Sequence, residues 1–167
     1  MEPLDELDTA ILAQLQSNAR RTNREVAAAV GVSPTTALDR TKSLIARGVI
    51  RGARLELDLA KLGRPVQALI NVRIRPPSRA NIEAFRDWAA TLPEVLGLFV
   101  ITGDDDFIVH VAVPDNDSLY TFVIDRLTQR KEIANVRTTV VYEHLQNGSV
   151  AAERRNATSA AGETLRR

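Results

Sequence analysis

Cysteine is absent from this chain, and histidine occurs only twice, as His110 and His144. The absence of cysteine excludes disulfide bonds and every metal site built on thiolates. A structural zinc site is not expected either, because two histidines cannot supply the four nitrogen or sulfur ligands that such a site normally uses. We therefore predict a protein with no bound metal and no cofactor.

Long apolar runs and a strong excess of one charge are also missing. No stretch approaches the roughly 20 apolar residues that span a bilayer, and the opening sequence MEPLDELD is acidic where a signal peptide is basic and then apolar. The 167 residues include 22 basic and 21 acidic ones, and 44% are hydrophobic, as in a globular protein of one sizeable or two small domains. We expect a cytoplasmic protein without a membrane partner.

The basic residues are concentrated in residues 20–54. They are Arg20, Arg21, Arg24, Arg40, Lys42, Arg47, Arg51 and Arg54. The same segment has only two acids, Glu25 and Asp39, although the net charge of the whole chain is only +1. Such a local excess favours contact with nucleic acid, because each neutralised phosphate releases counterions. A charged face that meets only solvent is the alternative interpretation.

Two short helices are predicted on either side of the dipeptide Gly31-Val32. The first begins with the capping-box pattern Thr22-Asn23-Arg24-Glu25. The second begins with Ser33 as N-cap and Pro34 at the first helical position, and it ends at Gly48. Its predicted buried face consists of Leu38, Thr41, Leu44 and Ile45. Two helices across a tight turn are typical of a helix-turn-helix, although a simple helical hairpin uses the same caps.

A helix-turn-helix predicts which residues contact double-stranded DNA. The second helix enters the major groove by its first turns, and the helix before it crosses the phosphate backbone. The residues predicted to face base edges are Thr35, Thr36, Asp39 and Arg40. The residues predicted to lie near phosphates are Arg20, Arg21, Thr22, Asn23, Ser33 and Lys42.

The segments that flank these helices complete a small domain. Residues 1–19 predict a helix capped by Asp5, with a buried stripe of Leu7, Ile11, Leu12 and Leu15. After the second helix, Val49–Asp58 has β-leaning residues broken at Gly52, which predicts a short wing or strand that passes into a linker. We expect the DNA-binding domain and its linker to occupy residues 1–62.

From residue 63 onward the pattern is that of a sheet with helices. Apolar alternation predicts four strands, at Val66–Ile74, Val95–Ile101, Phe107–Val113 and Val136–Leu145. Helices are predicted after Ser78 and after Asp115. The order β-α-β-β-α-β folds, by the right-handed crossover rule, into an antiparallel sheet with both helices on one face, which is the ferredoxin-like arrangement.

The other face of this sheet has no cover within the predicted domain. It retains apolar residues such as Leu69, so we expect residues 63–146 to form a dimer. A dimer sets its two recognition helices, the second helix of the motif in each chain, at a fixed separation. The operator is therefore expected to be an imperfect palindrome. Residues 147–167 lack periodicity and are predicted to be a disordered tail.

Four stretches resemble the Lrp/AsnC (feast/famine) family of transcriptional regulators, in that family's order and spacing. They are Leu4–Arg20, Val30–Gly52, Thr102–Val111 and Val136–Val141. The resemblance implies an α+β chain with an N-terminal winged helix-turn-helix domain and a ferredoxin-like effector-binding domain, of the RAM or AsnC type. It also implies homodimers that assemble further, to tetramers or octamers, and control by an amino acid.

The same resemblance places the effector beside the turn Gly103-Asp104-Asp105-Asp106-Phe107, where the family usually has Gly-x-x-Asp-Tyr. The residues that it implies for the effector pocket are Gly103, Asp104, Asp106, Thr139, Val140 and Val141. A carboxylate suits the α-ammonium group of an amino acid, and backbone N–H groups of the turn suit its carboxylate. Because Asp104 and Asp105 repel an anionic side chain, we expect a neutral or basic amino acid.

Other functions stay open at the level of the sequence. The resemblance extends to siroheme decarboxylases, which share this architecture and use histidines, for which His110 and His144 are the candidates. An architectural protein that coats DNA without an effector is a further possibility. The three aspartates of the turn could also hold a divalent cation, although a polar hairpin turn is the simpler explanation.

Overall fold

The computed structural model describes residues 3–145 and 148–150. The chain divides into two compact units, the first of which reaches Leu55 and the second of which runs from Glu56 to Leu145. Most of the predicted disordered tail lies outside the described residues. Within residues 148–150, which group with the first unit, the backbone N–H and carbonyl of Val150 bond to the side chain of Gln16, at 2.6 and 3.1 Å.

The first unit contains three helices: α1 (Glu6–Ser17), α2 (Asn23–Val30) and α3 (Pro34–Ala46). The three predicted N-caps are confirmed, because the side chains of Asp5, Thr22 and Ser33 each accept a backbone N–H of the helix that follows. At the turn between α2 and α3, Gly31 adopts a φ of +77°, a conformation that favours glycine. The core of the unit consists of Ile11, Val26, Ala27, Ala37 and Leu44.

Two expectations for this unit are wrong. Ile45 was predicted on the buried face of α3, but 54% of it is exposed. The inward face runs through Ala37 and Leu44, which lie two turns apart, and Ile45 is rotated by about 100° from Leu44. The predicted wing strand within Val49–Asp58 is also absent, because no strand of the described chain lies beside that segment to pair with it.

The second unit has the predicted βαββαβ order. Its elements are β1 (Val66–Ile74), α4 (Arg79–Ala89), β2 (Val95–Val100), β3 (Phe107–Val113), α5 (Asn116–Thr121), a π-helix (Phe122–Leu127) and β4 (Ile133–Val141). The strands form one antiparallel sheet in the order β2-β3-β1-β4. The last strand ends four residues before the predicted Leu145, because its ladder reaches Val141 opposite Gln67, near the start of β1.

The two faces of the sheet differ in their cover. Alternate residues of β1, from Ala68 to Ile74, are fully buried beneath the helices together with Phe85 and Phe107. On the other face Phe99 lies across from Ile108 and is 59% exposed. Among the described residues, the helices therefore cover only one side of the sheet. Among the described residues no helix combines the length and the apolar character needed to cross a membrane.

Candidate functional site

The outer face of α3 is the candidate surface for DNA. Thr35, Asp39 and Lys42 are exposed along this face. Ser33 and Thr36 are exposed too, but their hydroxyl groups lie 2.8 Å apart and the Ser33 hydroxyl also accepts the backbone N–H of Thr36 at 3.1 Å. These two hydroxyls therefore serve the start of the helix as well as any external ligand.

Arg40 points toward α1 rather than freely outward. Its guanidinium lies 2.6 Å from Asp5 and 3.3 Å from Asp8. Asp8 is buried, and its other carboxylate oxygen lies 3.0 Å from Arg47. The pKa of Asp5 is lowered, first by the backbone N–H of Asp8 and then by Arg40. In the free protein the charge of Arg40 is thus compensated within the unit, and its predicted contact with base edges requires Arg40 to leave Asp5.

Four of the residues predicted near phosphates lie between α1 and α2 or at the start of α2, whereas Ser33 and Lys42 belong to the α3 surface described above. Arg20 and Asn23 are exposed there. Arg21 donates to the side chain of Gln14 at 2.5 Å, so its position is partly fixed. Thr22 belongs to the capping box, in which its hydroxyl and its backbone N–H both donate to Glu25. The surface therefore combines exposed positive charge with helix-capping groups.

In the second unit, the three aspartates of the predicted effector turn have different surroundings. Asp104 is exposed, whereas Asp105 is 6% exposed and accepts hydrogen bonds from Asn71, at 2.9 Å, and from Arg137. The pKa of Asp105 is lowered by the bond from Asn71 first and by Arg137 second. Because Arg137 compensates Asp105, the expected repulsion of an anionic effector rests on Asp104 rather than on both residues.

Asp106 joins the turn to the end of β1. Its carboxylate accepts the backbone N–H of Ile74 at 2.7 Å and lies 3.9 Å from the guanidinium of Arg75. Its own backbone N–H donates to the carbonyl of Val72 at 2.9 Å. Asp106 therefore has a structural role. An effector that bound to the Asp106 carboxylate would share it with the backbone N–H of Ile74.

The two parts of the predicted effector pocket do not meet within one chain. The turn lies at the end of β1 that contains Val72 and Ile74. Thr139, Val140 and Val141 pair with the other end of β1, Leu69, Ala68 and Gln67 respectively. Four residues of an extended strand, or about 13 Å, separate Ala68 from Val72. The two parts therefore do not form one compact amino-acid site at this position of β1.

Comparison with known proteins agrees with this two-part architecture. Residues 4–51 match the model of a winged helix-turn-helix DNA-binding domain, and residues 67–150 match that of the Lrp/AsnC ligand binding domain. The transcriptional regulator AldR of Mycobacterium tuberculosis is 35% identical over 146 residues, which are 87% of this chain and 82% of AldR. The chain belongs to the Lrp/AsnC family. It is therefore a transcriptional regulator of the Lrp/AsnC type with a ligand-binding domain.

Other members of the Lrp/AsnC family are similar in sequence and in structure. The transcriptional regulator AzlB of Bacillus subtilis is 35% identical over 138 residues, which are 83% of this chain and 88% of AzlB. A transcriptional regulator of Neisseria meningitidis, solved as a complex with L-Met, superimposes with a TM-score of 0.80 at 31% identity, over 87% of this chain and 94% of that one. Escherichia coli AsnC gives a TM-score of 0.79 at 27% identity, over 89% and 99% of the two chains.

The two histidines lie together on the sheet face that the helices leave open. Their rings meet edge to face, with centroids 5.4 Å apart, and His110 bonds to the side chain of Gln67 at 3.0 Å. Burial, and secondly the charge of His144, lower the pKa of His110, which favours its neutral form. The relatives AldR and AzlB are named as transcriptional regulators, and a siroheme-dependent enzyme is not favoured. Incubation with siroheme followed by absorbance spectroscopy tests that alternative directly.

Two sets of contacts were missed by the reasoning from sequence. Arg40 and Arg47 lie seven residues apart and Asp5 and Asp8 three apart, so each pair shares one face of its helix. Such matched stripes of opposite charge are a signal for the packing of α1 on α3. The pairing of Asp105 with Arg137 had no comparable signal, since it depends on the register of β4 against β1.

Proposed function

We propose that this regulator binds specific operator DNA as a homodimer, that dimers assemble further, and that a neutral or basic amino acid modulates binding or assembly. The observation that carries the proposal is the recognition helix α3, whose capped start and polar outer face are exposed. The positive charge on and around α2 and α3 supports contact with phosphates. The separation of the two parts of the predicted effector pocket supports an effector that binds between copies of the chain.

Arg40 is proposed to leave its ion pair with Asp5 and to contact a base edge when the operator binds. The side chains of both residues are about half exposed, at 41% and 47%, and an exposed ion pair is worth only about 0–1 kcal/mol. A guanidinium can bond to guanine with two donors, which is worth about 1–3 kcal/mol of discrimination. Operator DNA can therefore compete successfully with Asp5 for this side chain. The buried Asp8, which Arg40 also leaves, keeps Arg47 as a partner at 3.0 Å.

Variants of Arg40 and Arg21 test this assignment on operator and random DNA of equal length. Arg40→Lys keeps the charge but loses the two-pronged donor, so we expect about ten- to a hundredfold weaker operator binding with little change on random DNA. Arg21→Ala should weaken binding to both DNAs alike and reduce the slope of log affinity against log salt by about 1. The operator sequence for these measurements is obtained by genome-wide mapping of the sites that the protein binds.

Two results would contradict this part of the proposal. Equal losses on operator and random DNA for both variants would remove the distinction between base and phosphate contacts. Equal affinity of the unaltered protein for unrelated sequences would favour the architectural alternative. Asp5→Asn is the matched control, because asparagine caps α1 as well as aspartate does and removes the nearer of the two negative charges beside Arg40, while Asp8 stays in place.

The effector is proposed to bind with its ammonium group at Asp106 and its carboxylate at backbone N–H groups of the turn. Titration calorimetry with each of the twenty amino acids identifies it. Asp106→Asn keeps an acceptor for the amide of Ile74 but removes the charge, so we expect about ten- to a hundredfold weaker binding of the effector. Asp104→Asn removes an exposed charge from the same turn and should have a smaller effect. Equal affinities of Asp106→Asn and the unaltered protein would exclude Asp106 from the site.

The dimer is proposed to form through the open face of the sheet. Phe99 and Leu69 contribute apolar surface there, and burial of such surface favours association. Sedimentation of the full chain at micromolar concentration should therefore show dimers or larger assemblies. Phe99→Glu should shift it toward the monomer, because it places a charge within the contact. Tyr120→Glu, an exposed position on the helical side, is the control, and an equal shift by both variants would argue against this face.

A further inference from the structure

The second unit contains a pocket of about 510 Å³ that no contact described above uses. It lies where β3 ends, α5 begins and the chain enters β2. The residues that line it include Arg64, Glu94, Val113, Asp117, Phe122 and Arg126. The effector turn precedes Phe107 at the other end of β3, about 20 Å away along the strand. We call this cavity the Glu94 pocket.

Glu94 carries the first sign that the pocket receives a ligand. The Oε2 atom of its carboxylate is buried and has no hydrogen-bond partner among the described residues. A buried carboxylate oxygen without a donor is unfavourable, and native structures keep few such groups without a reason. A ligand that brought a charged donor to this oxygen would remove the penalty.

The opposite charge is supplied by Arg64 and Arg126. Arg64 donates to the carbonyl of Pro93, and its fork of five N–H groups leaves further donors for a ligand. Arg126 is exposed on the π-helix. It lines the pocket together with Thr121, the last residue of α5. The pocket thus presents guanidinium groups as well as a carboxylate.

The remaining lining limits the choice of ligand. Asp115 is already bound to Ser118 of α5, which lowers the pKa of Asp115, and it serves as the cap of that helix. Val113 and Phe122 supply an apolar floor. A ligand that matches these groups has an ammonium group for Glu94, a carboxylate for the arginines and a small apolar body. The volume is within the range of small-molecule sites, about 300–1,000 Å³.

We propose that the Glu94 pocket is a second binding site for a free α-amino acid, separate from the turn at Gly103–Asp106. This proposal rests on the proposed function only for the class of ligand, which is an amino acid in both. The ammonium group bonds to the carboxylate of Glu94, and the ligand carboxylate bonds to Arg126 and Arg64; Asp117 also lines the pocket. The site lies within one chain, so it does not need the assembly that the turn site requires.

The test is calorimetric titration of the full-length protein with each of the twenty amino acids. Binding that persists in Asp106→Asn, and that Glu94→Gln and Arg126→Gln each weaken about tenfold or more, is expected. Asp125→Asn, an exposed acid on the π-helix that does not line the pocket, is the matched control and should bind as the unaltered protein does. The N-acetyl derivative of the bound amino acid should not bind, because it lacks the ammonium charge.

The outcomes separate the two sites. Binding abolished by Asp106→Asn and unchanged by Glu94→Gln would overturn the Glu94 pocket and leave the turn site standing. Binding abolished by Glu94→Gln alone would support the pocket and remove the turn site. If no amino acid binds, the Glu94 pocket is not an amino-acid site. Measurements of operator binding would still test the DNA-binding part of the proposed function separately. Without ligand, Glu94→Gln should unfold at the same or a higher temperature, and a lower one would show that the carboxylate has a structural partner.

Discussion

Asp8→Asn is expected to destabilise the first unit by about 3 kcal/mol, because it breaks a buried ion pair that joins α1 to α3. Asp8 is 1% exposed, and its carboxylate receives Arg40 at 3.3 Å and Arg47 at 3.0 Å. Arg47, whose side chain is 19% exposed, would lose a full negative charge beside it. A unit of this size has a total stability of only about 3–8 kcal/mol, so the variant should be largely unfolded there at 37 °C and should not bind operator DNA.

The aromatic residues allow this loss to be assigned to one unit. All seven, including Trp88, lie in the second unit, between Phe85 and Tyr142. Urea unfolding followed by far-ultraviolet circular dichroism should show an early loss of helix in Asp8→Asn, while the fluorescence transition of Trp88 stays in place. Asp5→Asn is the control: its pair with Arg40 is exposed and asparagine is an equally good cap, so a change of less than about 1 kcal/mol is expected. Equal destabilisation by the two variants would contradict a special role for Asp8.

Phe85→Ala is expected to destabilise the second unit by about 3–5 kcal/mol, the usual effect of truncating a fully buried phenylalanine. The Phe85 ring is completely buried, 4.7 Å from the Phe107 ring and 5.7 Å from the Trp88 ring between centroids. The loss combines the transfer of apolar surface with the cavity left between α4 and the sheet. Because Trp88 lies against this cavity, its emission should also shift in the folded variant.

Tyr120→Ala provides the comparison for Phe85→Ala. Tyr120 is 68% exposed on α5, and surface substitutions of this kind usually change stability by less than about 0.5 kcal/mol. Urea unfolding monitored by Trp88 fluorescence at one protein concentration compares the two variants. A midpoint for Phe85→Ala within error of that for Tyr120→Ala would show that the ring is not part of the core of this unit. Loss of operator binding in Phe85→Ala while α-helical content stays intact would show that the second unit supports the assembly that binds DNA.

Much of the architecture follows from the sequence because it depends on residues close together in the chain. The caps of α2 and α3 are bonds between residues three apart, as between Thr22 and Glu25, and the predicted starts of both helices are confirmed. The strand Phe107–Val113 has the predicted bounds, since alternation along a few residues shows which side of a strand is buried. The family could also be inferred from the order and spacing of such local patterns.

The contacts that decide the chemistry of the candidate sites join residues far apart in the sequence. Arg40 reaches Asp5 across 35 positions, and Asp105 meets Arg137 across 32. A pattern within one helix or strand contains no information about such pairs, because they depend on how two elements pack or which register they adopt. For that reason the sequence predicted Arg40 as a free contact to bases and Asp105 as a free charge. Only the tertiary structure showed that both are already paired, and that the two parts of the effector pocket lie at opposite ends of β1.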